Sequence, residues 1–270
     1  SIEMHDGIEI IEEYAFFHSL TGSIKLPGVR VVEDWALSGS DLTDVEFGDK
    51  LETIGAGAFC DCTSLKSIKM PTVRDIDRHA LANCDQLTDV EMPEVERIGD
   101  GAFESCTLLR RIAIPLKDDI FQDDYVFDHC GNLSTVDIVG GIYKTISSLH
   151  MESWRNDIHA EIDRINSDLE DTPADEKTRA VRQWIESVLE RLNHYKTEHK
   201  ALLKEAMTLL ELALWKAKLL DEKEEGNFLG GKQASKKVKI DTEAVRKELR
   251  ITSGASDVMN NVLSFLTLDE

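Results

Sequence analysis

Three stretches of this chain repeat with a period of 22 residues: Ile54-x-x-x-Ala58-Phe59-x-x-Cys62, Ile76-x-x-x-Ala80-Leu81-x-x-Cys84 and Ile98-x-x-x-Ala102-Phe103-x-x-Cys106. Each is followed by Leu-x-x-(Ile/Val)-x-(Met/Ile)-Pro, at Leu65 to Pro71, Leu87 to Pro93 and Leu109 to Pro115. A fixed period of this length predicts stacked supersecondary units rather than a globule around one centre. Looser copies flank the clean ones. Downstream, Val126-Phe127-x-x-Cys130 leads to Leu133, Val136 and Ile138 after a two-residue insertion. Upstream, Ala15-Phe16 and Ala36-Leu37 begin copies one residue short, with Ser19 and Ser40 in the cysteine position. About six repeats therefore cover residues 8–140.

Within each copy the last two apolar residues before the proline, such as Ile68 and Met70, share parity and so one face of a short strand. The proline cannot donate to a ladder and is expected to end that strand. Stacked copies predict a parallel sheet, with the Ala-Phe segment returning the chain on the opposite side. Gly55 and Gly57 lie in that return, where coils approach closely. Burial between coils must supply the stability, because no single repeat can cover its own apolar face.

The unit resembles that of the BspA-like leucine-rich repeats: Ile-Gly-x-x-Ala-Phe-x-x-Cys-x-x-Leu-x-x-Ile-x-(apolar)-Pro. The resemblance covers about half the chain. It implies a right-handed, curved solenoid with short parallel strands; with the helical pattern that follows it, the expected fold is an α/β chain ending in an all-α helical hairpin or bundle. It also implies recognition of proteins or surfaces, and no shared catalytic residues. The expected division is a solenoid over residues 1–140 and a helical region over residues 141–270, with a flexible linker near residues 226–240.

Cys62, Cys84, Cys106 and Cys130 hold one repeat position and should form a buried structural column. A buried free cysteine acts as a small hydrophobe with a weak donor. Cys60-x-Cys62 and His129-Cys130 look like fragments of a metal site, but neither has a second pair at closed-site spacing. No metal and no cofactor are expected. Asn132-Leu133-Ser134 matches a glycosylation sequon, yet Leu133 holds a core position, which argues for coincidence. No phosphate loop, nucleophile elbow or metalloprotease motif is present, so the expected role is not enzymatic.

Strand residues of opposite parity should face outward, on the concave side. They are Asp44 and Glu46, Ser67 and Lys69, Asp89 and Glu91, Arg111 and Ala113, then Thr135 and Asp137. The sign alternates from rung to rung, which predicts cross-strand ion pairs. Asp44, Glu46, Lys69, Asp89, Glu91, Arg111 and Asp137 are therefore the candidate binding residues.

The formal charge of −21 is uneven: residues 1–140 hold 28 acidic and 11 basic side chains. Such a surface repels nucleic acid; its excess acid either serves solubility or favours a basic protein partner. No apolar run is long enough to span a bilayer. Ser1 leads almost directly into the first repeat, with no signal-peptide pattern between. Reduced thiols point to an intracellular, cytoplasmic setting. The cluster at Lys232, Lys236, Lys237 and Lys239 admits nuclear import as a lesser alternative.

After Gly140-Gly141 the period becomes helical. Trp154, Ile158, Ile162, Ile165 and Leu169 form one stripe. Thr172-Pro173 then suggests an N-cap for a long helix, striped by Val181, Trp184, Val188, Leu192, Tyr195, Leu202, Leu209 and Ala213. A final helix is expected after Ser256 or Asp257, carrying Val258, Val262, Leu263, Phe265 and Leu266. The stretches WRNDIHAEIDRIN, TPADEKTRAVRQWI and HYKTEHKALLKEAMTLLELALWKA resemble the C-terminal region of repeat proteins from single-celled algae, a resemblance that carries no known activity. Two functions are compatible with these patterns. One is a protein-interaction module that the helices anchor or orient; the other is a structural protein that self-associates through the long helix.

Overall fold

The computed structural model describes residues 1–140, 142–149 and 151–228. The chain divides into two compact units, Ser1–Tyr195 and Lys196–Glu270. The first unit carries all twelve strands among the described residues, in chain order. They are β1 (Ile2–Glu3), β2 (Ile10–Ile11), β3 (Thr21–Leu26), β4 (Val31–Val32), β5 (Asp41–Phe47) and β6 (Thr53–Ile54). Then follow β7 (Ser67–Lys69), β8 (Asp75–Ile76), β9 (Asp89–Glu91), β10 (Arg97–Ile98), β11 (Arg111–Pro115) and β12 (Thr135–Val139).

The strands form two parallel stacks rather than one. The first line runs β1-β3-β5-β7 and resumes as β9-β11-β12, while the second, not foreseen from the sequence, runs β2-β4-β6-β8-β10. The second stack arises because the Ile that opens each repeat pairs with its counterpart one rung away, as Ile54 does with Ile76 and Ile76 with Ile98. Ile68 and Met70 point inward and are buried, as are Leu65, Ala58 and Phe59. Pro115 is the last residue of β11, in register with Val139, so this proline ends its strand as expected, since a missing donor is tolerated at a strand end.

The return segment is bonded along the stack by its backbone. Phe59 N–H donates to Ala80 O at 2.7 Å, Leu81 to Ala102 at 2.8 Å and Phe103 to Val126 at 3.0 Å. The first five returns each place two residues with positive φ four positions apart, as at Gly57 and Asp61 or His79 and Asn83, while the last has only His129. At Trp35, His79, Asp61 and Asn83 a side chain is held in this left-handed region against an intrinsic penalty of about 1–2 kcal/mol per residue. Glycine serves a second purpose at 57 and 101. A Cβ there would lie 2.7 Å from the Trp35 ring or 2.5 Å from His79 Nδ1, so large and absent side chains alternate down the column.

Two helices close the last rung within the same unit: α1 (Ile142–Ser147) is a short connector, and α2 (Glu152–Asp171) lies against β12. A 3-10 turn at Ala174–Glu176 leads into α3 (Lys177–Phe228). The predicted stripe of α2 is correct: Ile158, Ile162, Ile165 and Leu169 are buried. The predicted N-cap is not. Thr172 Oγ1 donates back to Asp168 O at 2.7 Å, and Thr172 is the C-cap of α2. Pro173 occupies the N-cap position of the 3-10 turn without a side-chain bond.

Helices α2 and the start of α3 form an antiparallel hairpin. Trp184 Nε1 donates to Glu161 O at 2.8 Å, and Tyr195 stacks on Trp154 further along. Glu161 sits buried at the centre, accepting from Arg164 at 2.9 Å, Ser187 at 3.0 Å and Arg191 at 3.2 Å. Burial alone pushes its carboxyl up, but the bonds from Arg164 and Ser187 outweigh that and hold it below the usual range.

This hairpin supplies what a terminal rung lacks. Thr178 Oγ1 accepts from Phe127 N–H at 2.9 Å, and Asn166 Oδ1 accepts from Val136 N–H at 2.8 Å. Lys177, 1% exposed, donates through Nζ to Gly131 O at 3.0 Å and Leu133 O at 2.5 Å. Arg182 pairs with Asp124.

The stripe of α3 is buried through Val181, Trp184, Val188 and Leu192, and Tyr195 is half-buried. In the second unit Leu202 and Leu209 are exposed. The linker expected near 226–240 and the final helix lie outside the described residues, except that 226–228 still belong to α3.

Replacing Thr178 by Val should leave the buried Phe127 N–H without an acceptor and destabilise the chain by about 1–3 kcal/mol. The lowered midpoint of the first urea transition measures this; an unchanged midpoint would remove the capping role.

Candidate functional site

The outward face of the first strand line is where the sequence places a charged strip. Register puts Asp44 beside Ser67 and Glu46 beside both Lys25 and Lys69. Glu46 bonds Lys25 at 3.2 Å and Lys69 at 3.6 Å. The hydrogen bond from Lys25, reinforced by the Lys69 charge, holds the Glu46 carboxyl below its ordinary value. Asp44 accepts from Thr43 Oγ1 at 2.8 Å and Ser23 Oγ at 3.1 Å. At the other end Arg111 donates to Asp137 at 2.5 Å.

Asp89 and Glu91 differ. Both are exposed on β9, and among the described residues neither makes an ion pair within 4.0 Å. Arg111, in register with Asp89, turns instead to Asp137. Ala113, expected to face outward, is buried, so its rung shows only Arg111 on this face. The strip is thus partly self-neutralised: Asp44, Glu46, Lys69, Arg111 and Asp137 are engaged, and a two-carboxylate patch lies between Lys69 and Arg111.

A second charged column runs along the turns between the two strand lines. Glu9, Arg30, Glu52, Arg74, Glu96 and Lys117 alternate in sign, with Arg30–Glu52 at 3.6 Å and Lys117–Glu96 at 3.8 Å. An open groove follows this column past Gly28, Leu51 and Thr72. From Arg30 to Glu96 successive members of the column lie 22 residues apart, the repeat period itself, so the column was legible in the sequence to a reader following the turns as well as the strands.

The cysteine column is built as expected and does more than fill space. Cys62, Cys84, Cys106 and Cys130 are each 0% exposed, and all five cysteines are free. Each column thiol donates to a return-segment carbonyl one rung back: Cys62 to Leu37 and Cys84 to Phe59 at 3.3 Å, Cys106 to Leu81 at 3.2 Å, Cys130 to Phe103 at 3.0 Å. Ser40 does the same with Phe16 O at 3.0 Å. At Ser40 a hydroxyl replaces a thiol because the position needs a small donor, whereas Ser19, in the first copy, bonds Phe17 O within its own turn at 2.8 Å.

Burial pushes the Cys60 and Cys62 thiols up to about 12. Cys84 is raised by its contact with the Cys106 thiol and by burial, and Cys130 chiefly by burial. Thiols so held are neither nucleophiles nor metal ligands. Among the described residues no group of three or more His, Cys, Asp or Glu could hold a metal ion. No helix among them is long and apolar enough to cross a membrane.

A family model described as "BspA type Leucine rich repeat region (6 copies)" matches residues 1–110 and 30–158. No curated protein matches. Three solved structures are similar. A leucine-rich repeat protein of T. pallidum shares 22% identity at a TM-score of 0.42, covering 54% of this chain and 78% of that one. One from Bacteroides ovatus shares 27% at 0.41, covering 48% of this chain and 34% of its own. A leucine-rich cell surface protein from Faecalibacterium prausnitzii shares 28% at 0.39, covering 45% and 33%. This chain thus spans about a third of the length of the last two.

The thiols yield a pH prediction. Those of Cys60 and Cys62 stay protonated in the folded chain to about 12, whereas the unfolded chain ionises them from about 9. The folded state then holds more protons, so stability should fall as pH rises from about 9 toward 12. Below that window a disulfide reagent should label the native thiols only at the rate of unfolding; prompt reaction of the column in the native protein would show that it is open.

Proposed function

Because the chain belongs to the BspA-type leucine-rich repeat family, we propose that it is a protein-interaction module without catalytic chemistry, whose first strand line recognises a basic segment of a protein partner. The observation that carries this reading is the Asp89–Glu91 patch, exposed and unpaired while the charges around it are engaged. Unpaired carboxylates on a rigid sheet are ready to meet ammonium or guanidinium groups without first breaking an internal pair, and the acidity of the repeats steers such partners inward.

The helical hairpin supports the same reading by holding the last rung, so that β11 and β12 keep their register beside the patch. The helices then orient the solenoid relative to whatever follows. Five free buried thiols favour a reducing, intracellular compartment as the setting.

Charge reversal tests the proposal. A chain carrying Asp89→Lys and Glu91→Lys should keep its melting temperature, since no internal pair is lost, and should bind basic partners recovered with the native chain at least about tenfold more weakly. Reversing Asp89 together with Arg111, which also breaks the Arg111–Asp137 pair, should likewise weaken recognition. Retention of every partner by these folded variants would exclude this face as the site.

A further inference from the structure

In the second unit α3 presents an apolar surface that no described residue covers. Leu202, Met207, Leu209, Leu210 and Leu214 are 39–60% exposed. At 100° per residue they share with Leu203, Ala206 and Ala213 an arc of about 160°, wider than the stripe of an ordinary surface helix. The middle of the arc is a run of large and small residues in turn: Leu203, Ala206, Leu210 and Ala213, at steps of three, four and three. Such spacing makes a seam for pairing with another helix. The run also has a centre. Leu203 and Ala213 lie five residues either side of Thr208, and Ala206 and Leu210 lie two residues either side. Leu202 and Leu214 are six residues out, and Met207 and Leu209 one. The polar positions follow the same rule, with Glu205 and Glu211 three residues out, and only Lys204 is matched by an apolar residue, Leu212.

We infer that the Leu202–Leu214 face of α3 docks on the same face of a second copy of the chain, antiparallel, with a two-fold axis at the level of Thr208. A two-fold interface must be complementary to itself. Reversal about Thr208 lays Leu203 against Ala213 of the second copy and Ala206 against Leu210, so every large residue meets a small one, and each contact occurs twice. A parallel pair sets Ala206 on Ala206 and Leu203 on Leu203 instead, which leaves a void at the alanine levels and crowding at the leucine levels. A foreign helix asks for no such symmetry of this face. Thr208 itself lies on the far side of the helix, its hydroxyl donating to Lys204 O at 2.9 Å, so it brings no polar group into the seam. The arc offers about 600 Å² of side chain on each helix, and two copies bury about 1,200 Å², the size at which stable specific interfaces begin.

Sedimentation equilibrium of the full chain, between about 1 and 100 µM, tests this. The native chain should reach twice its monomer mass within that range. Leu210→Asp, in the seam, should weaken the dimer at least about a hundredfold while the first urea transition keeps its midpoint, because the residue lies outside the first unit. Thr208→Lys, on the far side of the helix, should leave the dimer intact. Exchange of sizes then reads the register. Ala206→Leu alone and Leu210→Ala alone should each weaken association about tenfold, and the chain carrying both, which again sets large against small, should recover it. A native chain that stays monomeric throughout overturns the proposal and leaves the face to another occupant. Tighter association of Ala206→Leu, the mark of a parallel pair, overturns it too, as does a double variant that fails to recover.

Discussion

Each rung of the solenoid turns back through a segment whose carbonyls are bonded partly within the turn and partly by donors one rung away. In a β-sheet the ladder does this by itself. The return segment lacks a continuous ladder, since its left-handed residues interrupt the extended backbone. Two devices replace it. Backbone amides bond from Phe59 to Ala80 and from Leu81 to Ala102, and the column thiols bond the remaining carbonyls of Leu37, Phe59, Leu81 and Phe103. The carbonyls of Leu37, Phe59 and Phe103 also accept the amide three residues on, so the small donor at this position adds the cross-rung bond to one made within the turn.

The same requirement explains the ends. A stack of rungs has no intrinsic stop, and the last one would leave the Phe127 and Val136 amides and the Gly131 and Leu133 carbonyls facing solvent or apolar surface. Thr178, Asn166 and Lys177 meet all four. Lys177 is buried without a carboxylate beside it, and burial lowers the affinity of its ammonium for its proton. Two carbonyl dipoles stand in for the missing counter-charge. The helical hairpin is therefore the cap of the repeats, and the compact unit runs to Tyr195.

Function follows from which charges the fold uses up. Pairing Glu46 with Lys25 and Lys69 and Arg111 with Asp137 neutralises both ends of the strip. Register alone would have allowed Arg111 to meet Asp89. Its choice of Asp137 is a side-chain decision, and it is this decision that leaves Asp89 and Glu91 open.

The 22-residue period determined the strand line, the inward faces of Ile68 and Met70 and the cysteine column, and the helical period determined the stripe of α2, because each of these is a periodicity and periodicity is a property of the chain itself. The thiol ladder was half legible: the alternation of Cys and Ser at one position announces a small donor but does not say which carbonyl receives it. The second strand stack, the ring-over-glycine alternation at Trp35 and Gly57, the capping of the last rung and the back-bond of Thr172 were decided only in three dimensions. Each depends on a group one rung or one helix away, at a distance that sequence spacing does not measure. The candidate site divides along the same line: spacing named its charged residues, and packing decided which of them remain free to bind.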